Sequence, residues 1–161
     1  MSLVAYHLPL DAHPELGNNA ILLRRLGLHA PEPFAEHGGR LTGLIGHADP
    51  PTPLADLVGR VRREVGRDPL VFDSGPDPVR RVAVVSGGAA GDLEAAVAAR
   101  ADVFLTGEPK ENVMVDAAEA GIGFIAAGHY ATEVFGVQAL GDHLADHFGV
   151  EHRFVDVPNP V

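Results

Sequence analysis

The feature that most constrains this chain is a regular alternation of short apolar runs with Ala- and Leu-rich stretches in its second half. The runs predict strands over residues 82–85, 103–106, 123–126 and 152–157. Helices are predicted between them, over residues 92–99, 111–120 and 132–148. Alternation at this spacing is typical of βαβ units, in which helices cover a sheet. We therefore expect a layered α/β/α fold on a mixed, largely parallel sheet.

The first half of the chain has a less regular pattern. Strands are predicted over residues 3–7, 40–47, 70–72 and 81–85, and helices over residues 18–26 and 54–65. Gly27 follows the first helix, at a position that favours a left-handed residue. A proline cluster at residues 50–53 interrupts the pattern. We expect a first lobe over residues 1–50, a connecting segment over residues 51–80 and a second lobe over residues 81–161.

Composition excludes several classes of protein. The 161 residues can bury a core as a globular domain, and they include no cysteine, so any metal must be held by histidine or oxygen ligands. The net charge of −10 argues against a nucleic-acid partner. No apolar run is long enough to span a membrane, and the N-terminus lacks the pattern of a signal peptide. We expect a cytoplasmic protein.

Charge is unevenly distributed along the chain. Residues 82–161 carry twelve acidic groups against three basic ones, whereas residues 1–81 are nearly balanced. The only basic island consists of Arg60, Arg62, Arg63, Arg67, Arg80 and Arg81. Two interpretations stay open: a surface that meets an anion, or a solvated helix face with the flank of a strand.

Three loops follow predicted strands of the second half, over residues 86–91, 106–108 and 128–133. Functional groups gather at the carboxyl ends of parallel strands, so these loops are the candidate site. The first loop is rich in glycine and predicts either an anion site or a tight βα turn. This loop lacks the full dinucleotide-binding fingerprint. It is the only sequence feature in favour of a nucleotide-cofactor oxidoreductase, which stays a distant alternative.

Histidines and carboxylates supply the candidate chemistry. His129 and Glu133 lie four residues apart at the start of a helix, so both side chains can reach one metal ion. His7 and Asp11 share a face of the predicted first strand. Alternatively, His129 and Glu133 are an ordinary pair on a helix surface, and His7 and Asp11 lie on an exposed edge strand. Glu108 follows a strand and is either an acid/base group or a charge near a helix N-terminus.

Five of the nine histidines have no such setting. We expect them at the surface: His29, His37, His143, His147 and His152.

Four segments carry a resemblance to a known family. Residues 7–19 (HLPLDAHPELGNN), 102–108, 128–133 and 156–160 resemble, in this order, the GTP cyclohydrolase I type 2 homologue family, also called NGG-interacting-factor-three-like. The first segment is similar to the bacterial radiation-resistance member. The resemblance implies two divalent metal ions (Zn, Fe or Mn) in a homohexameric ring. It also implies a hydrolase in which metal-activated water attacks a nucleotide or purine-type substrate.

The resemblance also implies roles for single residues. Asp11 and His129 match metal ligands, and Glu133 matches the carboxylate that bridges both metals. His7 and Glu108 match groups beside the site and are the catalytic candidates. Family members have an adjacent His-His pair upstream of the part that matches residues 1–13, and no two histidines are adjacent here. We therefore expect an N-terminally shortened member whose site is incomplete: an impaired hydrolase or, alternatively, a non-catalytic metal-binding or oligomer-forming module.

Overall fold

The apolar runs form six β-strands of one mixed sheet. The computed structural model describes residues 1–161. The strands are β1 His29–His37, β2 Arg40–Thr52, β3 Leu70–Phe72, β4 Val79–Val84, β5 Val103–Thr106 and β6 Gly123–Ala126. Their order in the sheet is β1-β2-β4-β5-β6-β3; β4, β5 and β6 run parallel, and the other three neighbouring pairs are antiparallel. The expected mixed α/β sheet is confirmed, although only two of its five strand pairs are parallel, so the sheet is not largely parallel.

Six helices cover the two faces of this sheet. They are α1 Leu8–Asp11, α2 Asn18–Arg25, α3 Leu54–Val65, α4 Leu93–Ala98, α5 Val113–Ala120 and α6 His129–Phe148. Side chains of α2, α3 and α6 share one hydrophobic cluster, and those of α4 and α5 share a second. None of the helices combines the length and the apolar character that crossing a bilayer requires.

The central strands are buried on both faces. Val82 and Val84 point into the first cluster, whereas Ala83 points into the second. On the neighbouring strand, Leu105 points into the first cluster and Phe104 into the second. Successive side chains of a strand alternate between faces, so a strand covered on both sides must be apolar throughout. This explains the continuous apolar runs of the second half.

Strand β1 is absent from the sequence prediction. It contains Pro31 and Pro33, which cannot donate to a ladder of hydrogen bonds and argue against a strand on local grounds. The strand lies at the edge of the sheet, where proline is tolerated.

Two predicted strands are wrong. Residues 3–7 have no regular structure, and the chain then turns into helix α1 at Leu8. Pro9 lies in the first turn of that helix, where its missing N–H costs nothing and its fixed φ suits the helix. Residues 152–157 form no strand either, because this tail packs along α6 instead of a sheet edge: Tyr130 donates its backbone N–H to the carbonyl of Val161.

Four arginines of the basic island have side-chain partners within the chain: Arg60, Arg62, Arg67 and Arg81. Arg60 donates to the carbonyl of Leu26 at 3.1 Å, and Arg81 donates to Glu32 at 3.1 Å. The Arg81 guanidinium, with help from His47, holds the pKa of Glu32 below its ordinary value. These contacts favour a structural role for the island.

Strands from residues 1–50, 51–80 and 81–161 all enter the same sheet. The division into two lobes stays a prediction.

Candidate metal centre

The three predicted loops meet at the carboxyl ends of β4, β5 and β6. The carbonyl of Gly87 accepts the backbone N–H groups of Gly107 at 2.8 Å and Glu108 at 3.2 Å. The carbonyl of Gly107 accepts the N–H of Gly128 at 2.8 Å. These bonds continue the sheet beyond its strands, so side chains from all three loops are brought to one edge.

The glycine-rich loop is a tight turn against the start of α6. Thr132 Oγ1 accepts the N–H of Gly87 at 3.0 Å, and Thr106 Oγ1 donates to the carbonyl of Gly87 at 3.0 Å. Gly87 has a φ of +68°, and a Cβ there would collide with Glu133 Oε1 and lie 3.1 Å from His129 Nε2. Only glycine allows the backbone to approach these two side chains so closely.

The predicted helical pair is formed at the first turn of α6. His129 Nε2 lies 3.3 Å from Glu133 Oε2. The other ring nitrogen of His129, Nδ1, lies 2.5 Å from Glu108 Oε1. A carboxylate behind an imidazole selects the tautomer and the ring orientation, and this arrangement is common behind metal-binding histidines. Glu108 therefore presents His129 Nε2 to Glu133.

A second helical pair comes from α1. His7 precedes the first residue of this helix, and its Nε2 lies 3.9 Å from Asp11 Oδ2. The shared strand face predicted for His7 and Asp11 is therefore wrong, but the helix brings them together through i, i+4 spacing. Asn18 Nδ2 donates to Asp11 Oδ1 at 2.7 Å, while Asn18 Oδ1 accepts the N–H of Gly136 at 2.6 Å. The side-chain amide of Asn18 thus links Asp11 to helix α6 through two hydrogen bonds.

The two pairs meet at Glu133. The potential ligand atoms of His7, Asp11 and Glu133 all lie within 4.8 Å of one another, and His129 reaches the same Glu133 carboxylate from α6. These side chains line a cavity of about 280 Å³ together with residues from β1, β2 and the glycine-rich loop, among them His37, Thr42, Ser86 and Gly88. Imidazole nitrogens and carboxylate oxygens suit Zn²⁺, Mn²⁺ and Fe²⁺.

The electrostatics of Glu133 fit a bound cation. Burial raises the pKa of Glu133 above its ordinary value, and the nearby carboxylate of Asp11 adds to the rise, while His129 and His7 oppose it. The charged form of Glu133 is therefore less stable at this position than in an exposed glutamate. A divalent cation between these carboxylates would relieve both the desolvation and the repulsion, so the donor set fits a metal ion.

One histidine of the cavity is absent from the site residues that the sequence predicts. The sequence predicts His37 at the surface. In the structure, His37 is partly exposed and lines the cavity, and its Nε2 lies 2.8 Å from Asp92 Oδ2. The signal that could have found it is the pair Gly38 and Gly39 directly after it, which predicts a hairpin with His37 at its end.

The fold and the site define a class: a mixed α/β protein with a histidine–carboxylate cluster at the carboxyl edge of its parallel strands. Within that class, the chain belongs to the Duf34/NIF3 (NGG1p interacting factor 3) family, whose model matches residues 1–160. The resemblance expected from the four sequence segments is thereby confirmed.

Individual relatives agree with this assignment. The chain is 50% identical over 160 residues to a Pseudomonas aeruginosa protein named GTP cyclohydrolase 1 type 2 homolog. The aligned region covers 99% of this chain and 63% of that protein. The Deinococcus radiodurans protein of the same name is 41% identical over 158 residues, covering 98% of this chain and 60% of that one. The solved structure of protein ybgI, described as of unknown function, has a TM-score of 0.90 at 39% identity and covers 99% and 63% of the two chains. The chain thus spans about three fifths of the length of these relatives.

Proposed function

We propose that this chain carries part of the metal centre of a divalent-metal-dependent hydrolase. The observation that supports this is the meeting of two helical His–carboxylate pairs, from α1 and α6, at the half-buried carboxylate of Glu133. Asp11, His129 and Glu133 are the residues that would hold the metal ions, and Glu133 lies close to both Asp11 and His129. Two divalent ions, Zn, Fe or Mn, are the proposed cofactors, as the family resemblance implies.

The residues around the ligands have separate tasks in this proposal. When bound, a divalent ion supplies Lewis-acid chemistry that makes water a competent nucleophile near neutral pH. His7 accepts the proton of the attacking water at Nε2, because its side chain is 76% exposed and can pass the proton to solvent. Glu108 is bound to His129 Nδ1 and therefore orients a ligand, which makes it the weaker candidate for proton transfer.

The substrate class comes from the relatives. Several of them bear the name GTP cyclohydrolase 1 type 2 homolog, and we propose a nucleotide or purine-type substrate for this chain by extension. A homo-oligomer, in the form of a hexameric ring, is proposed on the family resemblance alone.

Metal uptake is the direct test of the proposed centre. We expect the purified chain to retain Zn²⁺, Mn²⁺ or Fe²⁺ in elemental analysis after desalting, and to lose that metal in the variants Asp11→Ala and Glu133→Ala. Asp142→Ala is the matched control, because Asp142 pairs with His152 at 2.9 Å outside the site. Metal-stimulated hydrolysis of GTP or another nucleotide completes the test. No bound metal at any ratio would contradict the proposal.

A second candidate function is a non-catalytic binding module with the same fold. It is favoured by contacts that the carboxylates make within the chain without a cation: His129 Nε2 lies 3.3 Å from Glu133 Oε2, and His7 Nε2 lies 3.9 Å from Asp11 Oδ2. Stoichiometric metal without hydrolysis of any nucleotide in the panel would support this module over the hydrolase.

A further inference from the structure

His37 and Asp92 form a second carboxylate-backed imidazole at the same cavity. His37 ends β1, and Asp92 lies in the 3-10 turn Ala90–Asp92 before α4. The two side chains are joined by a 2.8 Å contact between Nε2 and Oδ2. His37 lines the cavity, whereas Asp92 does not. Asp92 therefore contacts His37 from outside the set of residues that line the cavity.

This pair resembles Glu108–His129, in which a carboxylate also contacts one ring nitrogen of a histidine. The two pairs differ in whether the second ring nitrogen has a carboxylate partner. His129 has its second nitrogen 3.3 Å from Glu133 and is part of the ligand cluster. For His37, Asp92 is the one carboxylate within 4.0 Å. Because Asp92 occupies Nε2, the nitrogen left for a ligand in the cavity is Nδ1. An imidazole that is oriented by a carboxylate and carries one free nitrogen is the arrangement that proteins use to contact a reacting group.

The charge of the cavity indicates what such a group would be. Without a cation, Asp11 and Glu133 make the cavity repel anions. With divalent ions held by these carboxylates, the cavity would attract anions. An imidazole with a proton on each nitrogen donates one to Asp92 from Nε2 and has the other, on Nδ1, to donate to a ligand. Oxyanions accept hydrogen bonds of this kind strongly.

We propose that His37, held by Asp92, is the protein contact for an oxyanion, a phosphate or carboxylate group, that binds the metal-loaded cavity. His37 acts here on the ligand and not on the metal. The inference deepens the proposed function and rests on it. The oxyanion comes either from a nucleotide or from the free anion in solution, and the two sources share the same chemistry.

The test measures anion affinity and metal content on the same samples. Metal-loaded wild-type protein is titrated with inorganic phosphate and, in a second arm, with GMP. In His37→Ala we expect full metal content and an affinity for phosphate about tenfold lower or more, because a charged hydrogen bond is lost. His37→Gln keeps an N–H donor and is expected to retain part of the affinity. Asp92→Asn is expected to lose less than His37→Ala, since the histidine stays in place.

His47→Ala is the matched control. His47 is also paired with a carboxylate, Glu32 at 2.7 Å, but lies outside the cavity lining, so its loss should leave anion affinity unchanged. Weaker GMP binding in His37→Ala assigns the contact to a nucleotide phosphate, and an effect on inorganic phosphate alone assigns it to the free anion. Metal uptake with unchanged affinity in both arms overturns the inference alone. Wild-type protein that takes up no metal contradicts the proposed function and the inference together.

Discussion

At the scale of single residues, the candidate site depends on a backbone that comes unusually close to two side chains. A methyl group at Gly87 would meet Glu133 and His129, and its φ of +68° is unfavourable for any other residue. We expect Gly87→Ala to lower the free energy of unfolding by about 1–3 kcal/mol and to abolish metal retention. Denaturant unfolding and elemental analysis measure the two effects.

The control for this substitution is Gly38→Ala. Gly38 has a similar φ of +58°, but a Cβ there has no atom within 4 Å. It should show the backbone cost without the loss of metal. Equal metal retention in both variants would contradict the close approach at Gly87.

A second prediction concerns the charge of Glu133. Burial raises its pKa in the folded protein, so the folded state holds a proton more tightly than the unfolded state does. The stability that this group contributes is therefore present below its ordinary pKa and is lost as pH rises through the raised value. We expect Glu133→Gln to stabilise the metal-free protein at neutral pH, and the gain to shrink toward pH 4. Thermal unfolding with a chelator, scanned over pH, measures the difference between the two proteins.

The opposite pH trend would show that pairing of Glu133 with His129 and His7 outweighs its burial. His129→Ala, compared over the same pH range, separates these two contributions.

At the scale of secondary-structure elements, the site requires α1 to lie beside α6. Asn18 begins α2, is 5% exposed, and uses its amide to bind both Asp11 and the backbone of Gly136. Asn18→Ala would leave a buried acceptor and a buried N–H without partners. We expect a loss of about 2–4 kcal/mol of stability and weaker metal retention.

Asn112→Ala is the control for this helix junction. Asn112 also donates to an aspartate, Asp116, but both lie at the exposed start of α5, so we expect a change within about 0.5 kcal/mol. A loss of stability without a change in metal affinity would show that Asn18 supports the helices but does not position Asp11.

The sequence pattern predicted α2, α3 and α6 well, since α3 has the predicted bounds and α6 begins only three residues earlier. It missed α1, because four residues are too few for a helical period and Leu8 and Pro9 also suit an extended chain. It also missed β1, whose two prolines are acceptable only at a sheet edge. Both elements depend on neighbours far away in the chain.

At the scale of the whole molecule, a row of aromatic rings crosses one face of the sheet. Phe104 lies in an edge-to-face arrangement with Phe34, with centroids 6.5 Å apart, and with Phe124, at 5.8 Å. Phe124 in turn stacks on Phe72 at 5.8 Å. The row joins strands β1, β5, β6 and β3, including both edges of the sheet.

Phe104 is fully buried at the centre of this row. We expect Phe104→Ala to lower the free energy of unfolding by about 3–5 kcal/mol, because it removes a large buried side chain and leaves a cavity. Phe148→Ala, at an exposed position at the end of α6, should change it by about 0.5 kcal/mol or less. Denaturant unfolding of both variants is the measurement, and similar losses would contradict a core role for the row.

The amino-acid sequence by itself determined the parallel half of the sheet, the pairing of His129 with Glu133, and the nitrogen and oxygen character of the donors. These follow from local periodicity, since i, i+2 and i, i+4 relations are set by backbone geometry within a few residues. Only the tertiary structure decided how Asp11 and His7 reach that pair, through helix α1, and that His37 lines the same cavity. Asn18 binds Gly136 across 118 positions of the chain, and no local pattern encodes a contact at that separation. Packing of both faces of the sheet brings these segments together.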